Sequence, residues 1–273
     1  ARSALHHWWG RRPDAALAEG LAQRSRIRRF VDSRLDAQVL TGLALTLALA
    51  LITAAGVVVS VLALAVRQVD AVADADSWAA RWAADHGSGF SHRALEGVSL
   101  LASTEGVIVI GLVVAIVEMM RLPSRWIPVF LIVVAAGDSL VTTTIKELVD
   151  RARPAIDPAA AALGPSFPSG HSSTAAAFYA GLALLAGRRR PDRTKAVLAG
   201  CAVGIAVAVA SSRVLLDLHW LSDVVGGLML GWGWFALCAI AFGGWILELG
   251  APAEKAAADQ TPRRQAPAGS VRS

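Results

Sequence analysis

Charge and cysteine are scarce in this chain. Only 17% of its 273 residues are charged and 55% are apolar, whereas an average soluble domain has about 25% charged residues. This shortage argues against disorder and against a nucleic-acid-binding protein, although a net charge of +5 and a pI of about 10.0 would suit the latter. The two cysteines, Cys201 and Cys238, lie inside apolar runs. They indicate packing residues rather than disulfides or a cysteine-based metal site.

The apolar residues form runs that are too long for a soluble core. No charge occurs between Asp36 and Arg67, and the 28 residues from Val39 to Val66 exceed the length needed to cross a bilayer core of roughly 30 Å. Five further spans are predicted at 98–120, 126–145, 169–187, 196–212 and 224–247. The predicted fold class is all-α, a polytopic membrane protein with six transmembrane helices in a bundle across residues 39–249.

The basic residues predict the orientation of this bundle. With the N terminus placed in the cytoplasm, nineteen of the 26 Lys and Arg residues lie inside, as the positive-inside rule requires. Residues 1–38 then form a basic cytoplasmic segment and 250–273 a disordered cytoplasmic tail, so both termini are cytoplasmic. Segment 68–96 is predicted to be an outward loop that carries an amphipathic helix at the interface, where Trp78 and Trp82 are favoured.

Three outward-facing segments carry polar residues that lipid does not explain. The first, from Lys146 to Pro154, reads KELVDRARP. On a continuous helix, Lys146 and Arg153 are two turns apart and share a face, so the pair could receive a multiply charged anion. The other interpretation is that both cations simply mark the membrane boundary.

The second segment, Pro168 to Ser172, opens the fourth predicted span. Small residues at a helix start leave backbone N–H groups free for an anion, and Gly170 permits a phosphate to approach closely. Ser169 adds a hydroxyl donor, and His171 could protonate a leaving oxygen. Alternatively, Ser169 is only a helix N-cap and His171 an ordinary interfacial residue.

The third segment runs from Ser212 to Asp223 and contains Arg213 and His219. His219 and Asp223 are four residues apart, so on a helical turn the carboxylate could hold one ring nitrogen and leave the other free as a nucleophile. A purely structural His–Asp hydrogen bond fits the same spacing. Asp217 is assigned no role.

Together the three segments, K-x6-R-P, P-S-G-H and S-R-x5-H-x3-D, resemble the signature of the type 2 phosphatidic acid phosphatase family over roughly residues 100–230. The resemblance implies a six-helix membrane phosphatase whose site faces away from the cytoplasm, with no metal or other cofactor. It makes His219 the nucleophile that forms a phosphohistidine, Asp223 its orienting partner and His171 the general acid. The residues implied to bind the phosphoryl oxygens are Lys146, Arg153, Ser169, Gly170 and Arg213.

Two other functions compete with a phosphatase. The same site could pass the phosphoryl group to an acceptor other than water, whereas six spans disfavour the related soluble vanadium haloperoxidases. Glu105, Asp138 and Lys146, within or at the ends of spans, would suit a transporter. We expect instead that Glu105 and Asp138 satisfy polar partners in the bundle, alongside Ser139 and Thr142 to Thr144.

The motifs leave the substrate open among lipid phosphates. Polyprenyl diphosphate, phosphatidic acid and phosphatidylglycerol phosphate all present a phosphate at the headgroup level, where membrane lipids would deliver it. An Arg to Lys ratio of 23 to 3 suggests a bacterial source, which favours polyprenyl diphosphate and a site on the extracytoplasmic side of the plasma membrane. Glycines at 226, 227, 231 and 233 permit close helix contact within or between subunits, so the oligomeric state stays open.

Overall fold

The computed structural model describes residues 37–86, 89–154 and 164–246, and within these ranges the secondary structure is helical, without β-strands. Residues Thr46–Leu249 form one compact unit. The predicted basic segment, except residues 37–38, and the predicted tail lie outside the described residues. The helices are α1 Ala37–Gln68, α2 Asp70–His86, α3 Gly89–Leu100, α4 Thr104–Arg121, α5 Trp126–Val149, α6 Gly170–Ala186, α7 Asp192–Leu215 and α8 Leu221–Ile246.

Four of the described helices are long and apolar enough to cross a membrane. They contain residues Ala44–Gln68, Trp126–Val149, Asp192–Leu215 and Leu221–Gly243. A fifth span results if α3 and α4 are counted together. Helix α6 has 17 residues, which is near the lower limit for a span. An all-helical membrane protein is thus confirmed, while the count of six spans stays a prediction.

The predicted second span is not one continuous helix. Its two halves, α3 and α4, are bent by 51° at a short break. Ser103 caps α4 because its hydroxyl accepts a hydrogen bond from the Gly106 amide at 3.1 Å. Glu105 is exposed in the first turn of α4, where the positive end of the helix dipole stabilises a carboxylate. Glu105 therefore has a helix-terminal place rather than the expected one inside the bundle.

Helix α6 lies at the centre of the bundle and packs most extensively against α8 and α7. A Cβ atom added at Gly231 would lie 2.1 Å from the Ser173 carbonyl oxygen, and one at Gly227 would lie 2.5 Å from the Ser169 carbonyl oxygen. These two glycines therefore serve contacts within the chain. They bring the start of α8 directly against the start of α6.

Two expectations about buried residues need adjustment. Asp138 is fully buried in α5 and accepts hydrogen bonds from Ser173 Oγ at 2.6 Å and Thr174 Oγ1 at 3.1 Å. Its polar partners within the bundle are confirmed, but they come from α6 rather than from its own helix. Cys238 is buried as a packing residue should be, whereas Cys201 is exposed on α7.

Candidate active site

Lys146 and Arg153 converge, but not on a shared helical face. Helix α5 ends at Val149, and Asp150 adopts a left-handed conformation with φ of 44°, so Arg153 lies in the following loop. Lys146 Nζ donates to the Pro165 carbonyl oxygen at 2.6 Å, and Arg153 Nη2 lies 3.5 Å from the same oxygen. The expectation of a common helix is wrong, and a loop that folds back brings the two cations together.

Ser169 and Gly170 occupy the start of α6, as the sequence predicted. Ser169 is the N-cap and is fully buried, and its hydroxyl lies 3.0 Å from the Ser172 hydroxyl. The Ser169 amide donates to the Asp223 backbone carbonyl at 2.9 Å, which ties this helix start to α8. A Cβ added at Gly170 would meet only Thr142 Cγ2, at 3.8 Å. The protein itself therefore leaves room for a side chain at Gly170.

His219 and Asp223 form a buried pair at the start of α8. His219 Nδ1 lies 3.4 Å from Asp223 Oδ2, and the side chains are 3% and 0% exposed. His219 precedes the first residue of α8, so the two do not share a helix face as predicted. The Trp220 amide instead donates to Asp223 Oδ2 at 3.0 Å, a hydrogen bond typical of an N-terminal capping box. This cap holds the carboxylate against the imidazole.

Burial controls the charge state of His219. It lowers the pKa of this imidazole to about 4, although the Asp223 carboxylate acts in the opposite direction. Arg153 Nη1 lies 3.2 Å from His219 Nε2 and donates to the Leu218 carbonyl oxygen at 2.6 Å. Burial likewise lowers the pKa of Arg153. At neutral pH the site thus holds a neutral imidazole beside a cation, which suits a nucleophile facing an anion.

Arg213 is buried at the end of α7 without a counter-charge among the described residues. Its Nη1 donates to Ser99 Oγ at 2.6 Å, and its Nε has no hydrogen-bond partner. His171, at the start of α6, interacts electrostatically with four groups of the candidate site: Arg213, His219, Arg153 and Lys146. Arg213 and His171 line a cavity of about 540 Å³. Its other polar lining residues are His92, Glu96, Ser99 and Ser103.

Two residues that sequence reasoning left without a role complete the site. Arg151 Nη1 donates to Asp223 Oδ1 at 2.6 Å, and Arg151 Nη2 donates to Asp76 Oδ2 at 2.7 Å. Asp76 is 2% exposed on α2, a helix whose Trp78 and Trp82 are exposed. Arg151 stands inside the first motif, so its position pointed to the site. The sequence signal for Asp76 was weaker, since it was only an acidic residue in an alanine-rich segment.

Within the described ranges, no group of three or more His, Cys, Asp or Glu side chains is placed to hold a metal ion. The candidate residues lie at one end of a helical membrane bundle, where Arg213 and His171 line the cavity and His219 and Asp223 form a histidine–carboxylate pair. The protein is therefore a helical membrane protein, and these residues form its candidate anion-binding site.

Comparisons with known proteins identify this class more closely. The family model of the PAP2 superfamily matches residues 127–246, which include every site residue that the sequence predicted. This part of the chain is similar to the type 2 phosphatidic acid phosphatase family, which confirms the resemblance drawn from its motifs.

Individual relatives agree with this assignment. Phosphatidylglycerophosphatase B of Bacillus subtilis (strain 168) is 36% identical over 111 residues, 39% of this chain and 53% of the relative. A lipid A 1-phosphatase of Rhizobium etli is 34% identical over 122 residues, 41% of this chain and 48% of the relative. The chain thus spans about half the length of the curated relatives it matches.

A solved structure shares the fold. The crystal structure of a transmembrane PAP2 type phosphatidylglycerolphosphate phosphatase from Bacillus subtilis superimposes with a TM-score of 0.66 and 26% identity. The match covers 70% of this chain and 96% of that protein. The helical arrangement around the site is therefore that of a known membrane phosphatase.

Proposed function

We propose that this protein is an integral membrane phosphatase that hydrolyses a lipid phosphate through a phosphohistidine on His219. The observation that carries the proposal is a neutral, buried His219 beside Lys146, Arg153 and Arg213, none of which forms an ion pair with a carboxylate in the described part of the chain. Buried cations without counter-charge are costly, and a bound phosphate would supply that charge.

The first step follows from the hydrogen bonds of His219. With the Nδ1 proton donated to Asp223, the lone pair on Nε2 attacks phosphorus in line with the leaving oxygen. The N–P bond forms and the P–O bond breaks. His171, whose protonated form the bound phosphate favours against the surrounding cations, donates a proton to the departing oxygen. The three cations, with the amides at the start of α6, stabilise the charge on the equatorial oxygens.

The second step returns the enzyme to its starting state. His171, now neutral, takes a proton from a water molecule that attacks phosphorus. The N–P bond breaks, its electron pair returns to Nε2 of His219, and inorganic phosphate leaves. Since the first step needs His219 without a proton on Nε2 and His171 with its proton, a bell-shaped pH dependence is expected.

The substrate proposed is a lipid phosphate monoester, delivered from the headgroup region on the extracytoplasmic side of a bacterial plasma membrane. Two relatives named for phosphatidylglycerophosphate and lipid A 1-phosphate support a monoester on a lipid. Polyprenyl diphosphate stays in the test panel because the composition favours a bacterial envelope enzyme. The residues of the three motifs would contact the phosphate in each case.

Phosphate release by the purified full-length protein in detergent tests the proposal. The panel contains phosphatidylglycerol phosphate, phosphatidic acid, lipid A and polyprenyl diphosphate, with glycerol added in a parallel set to detect transfer to an alcohol. We expect release from at least one lipid, and at least about a 10³-fold loss of kcat in His219→Ala. Lys195→Met, an exposed cation that pairs with Asp192 at the far end of α6, serves as the control.

The outcomes separate the competing functions. An acid-labile, base-stable phosphoprotein that forms in the parent and not in His219→Ala supports the phosphohistidine. Parental turnover by His219→Ala would exclude His219 as nucleophile. Phosphoglycerol in place of phosphate would identify a transferase, and a protein that releases no phosphate from any lipid in detergent would not be the proposed phosphatase.

A further inference from the structure

We propose that Arg151 and Asp76 are positioning residues that fix the orientation of the Asp223 carboxylate toward His219. The inference rests on the proposed function, because it assigns the two residues to the His219–Asp223 pair of that site. It adds α2, a helix outside the three motifs, to the machinery of the reaction.

Arg151 joins two buried carboxylates. Its Nη1 donates to Asp223 Oδ1 at 2.6 Å and to Ser222 Oγ at 2.7 Å, while its Nη2 donates to Asp76 Oδ2 at 2.7 Å. The Arg151 side chain is 12% exposed and the two carboxylates are 2% and 0% exposed. Charge-assisted hydrogen bonds of this length between buried groups are stronger than hydrogen bonds between neutral groups.

Asp76 fastens the same assembly to the start of α8. Its Oδ1 accepts from the Ser222 amide at 2.8 Å, and its Oδ2 accepts from the Ser222 hydroxyl at 2.7 Å. A carboxylate at a helix N terminus is favoured by the helix dipole. Asp76 therefore holds both Arg151 and the first turn that carries Asp223.

Arg151 is committed to this role and is not a phosphate ligand. Its Cζ lies 5.5 Å from the centroid of the Trp220 ring, and the Trp220 indole N–H donates to the Ala152 carbonyl oxygen at 2.9 Å. One face of the guanidinium therefore lies over an indole, while both terminal nitrogens are bonded to carboxylates. Arg153 and Arg213, in contrast, lack carboxylate partners within the described ranges.

The geometry has a direct consequence for His219. Because Arg151 binds Oδ1 of Asp223, Oδ2 is left for the imidazole and for the Trp220 amide. Without Arg151, the two carboxylates would face each other with no cation between them, and Asp223 could rotate. The more negative surroundings would then favour the protonated imidazole, which cannot attack phosphorus.

Several other charged groups also face His219, and each would be unchanged in an Arg151 variant. Arg153 and Lys146 come from the first motif, and His171 from the start of α6. These groups keep acting on His219 in every variant. A change in the titration of His219 therefore reports the network itself.

The test uses the full-length protein in detergent micelles with phosphatidic acid as the probe, or with whichever lipid of the panel is hydrolysed. The variants are Arg151→Met, Arg151→Lys and Asp76→Asn. Two exposed residues of α2 provide matched controls that remove the same charges, Asp74→Asn and Arg81→Met. Arg151→Lys keeps the cation and serves as the conservative variant if Arg151→Met does not fold.

We expect kcat to fall about 10- to 100-fold in Arg151→Met, as for other residues that orient a functional group, with KM changed less than about twofold. The acid limb of the pH profile should move toward neutral pH. Asp76→Asn should show a smaller shift in the same direction, Arg151→Lys should recover part of kcat, and both controls should match the parent. A loss confined to KM, or an acid limb that stays in place, would overturn the positioning role.

A second measurement is independent of turnover. Nuclear magnetic resonance spectra of ¹⁵N-histidine-labelled protein give the tautomer and the titration of His219 directly. The His219 signals are assigned by their absence in His219→Gln. A higher midpoint or a mixed tautomer in Arg151→Met supports the network, and an unchanged titration contradicts it. If the parent releases no phosphate from any lipid, the proposed function fails, while the histidine spectra still decide whether Arg151 and Asp76 position the pair.

Discussion

Two clusters of buried charge lie at opposite ends of α6, and they differ in how their buried arginine is paired. Beyond the C terminus of α6, Arg188 lies 3.3 Å from Glu118 Oε2 and 3.3 Å from the Leu122 carbonyl oxygen, and Arg121 pairs with the other oxygen of Glu118. Near the N terminus of α6, Arg213 has one hydroxyl partner and an unbonded Nε.

Burial does not distinguish these clusters, since Arg188 is 7% exposed and Arg213 is 8% exposed. The difference lies in their partners. A buried cation that is paired with a carboxylate and helix-terminal carbonyls has its charge compensated within the protein, whereas one without a counter-charge costs free energy that a bound anion would offset. Partner identity, more than exposure, thus separates a structural arginine from a binding arginine.

The largest effect is expected from Arg188→Met. This change leaves the nearly buried Glu118 carboxylate with a single partner, so the free energy of unfolding should fall by about 3–5 kcal/mol. Thermal unfolding in detergent measures the loss. The protein that remains folded should keep the parental kcat. An unchanged unfolding temperature would show that the cluster around Glu118 does not stabilise the fold.

Arg213→Met should have the opposite pattern. Removing one donor to the developing phosphoryl charge should lower kcat/KM about 10²- to 10³-fold. Stability should stay the same or rise, because an unpaired buried charge is lost. Initial rates and thermal unfolding of the same preparation provide the measurement, and a large drop in stability with normal rates would remove the contrast with Arg188.

Smaller effects are expected at two glycines, one of which should affect stability and the other activity. Gly231→Ala places a methyl group against the Ser173 carbonyl oxygen, so it should destabilise the protein by about 1–3 kcal/mol. Gly170→Ala has space in the protein and should leave the unfolding temperature unchanged, yet lower kcat/KM where a phosphate approaches the helix start. Equal effects of both changes on stability would contradict this division.

The smallest effect concerns pH. Burial lowers the pKa of His219 to about 4 in the folded protein, so the acid limb of kcat/KM should lie near that pH, with about a twofold decline at pH 4. The unfolded imidazole titrates near 6.5. Since the unfolded chain binds the extra proton, the contribution of His219 to stability is full above pH 6.5 and is lost as pH falls toward 4. His219→Gln should remove this dependence.

Much of the site could be predicted from the sequence because residue type and order carry its chemistry. Lys146, Arg153, His171, Arg213 and His219 were found from charge and histidine in otherwise apolar surroundings. The reasoning about shared helix faces was wrong for both the Lys146–Arg153 and the His219–Asp223 pairs. In each case the helix ends or begins between the two residues, and a loop or a capping hydrogen bond brings them together.

Contacts between residues far apart in the sequence were not predicted. Arg151 and Asp76 are separated by 75 residues, and Ser222 and Asp76 by 146. No local periodicity links such positions. The bend between α3 and α4 was also missed, because hydropathy over residues 98–120 does not respond to a break of three residues.

The sequence by itself determined an all-helical membrane protein and the residue types of the candidate anion-binding site, because apolar length and polar scarcity are properties of composition and order. The tertiary structure alone decided which cations are neutralised. Arg151, Arg153, Arg188 and Arg213 are the same residue type. In the described part of the chain, Arg151 pairs with Asp223 and Arg188 with Glu118, whereas Arg153 and Arg213 have no carboxylate partner. Coulomb energy depends on distance and burial, and only the folded chain sets both.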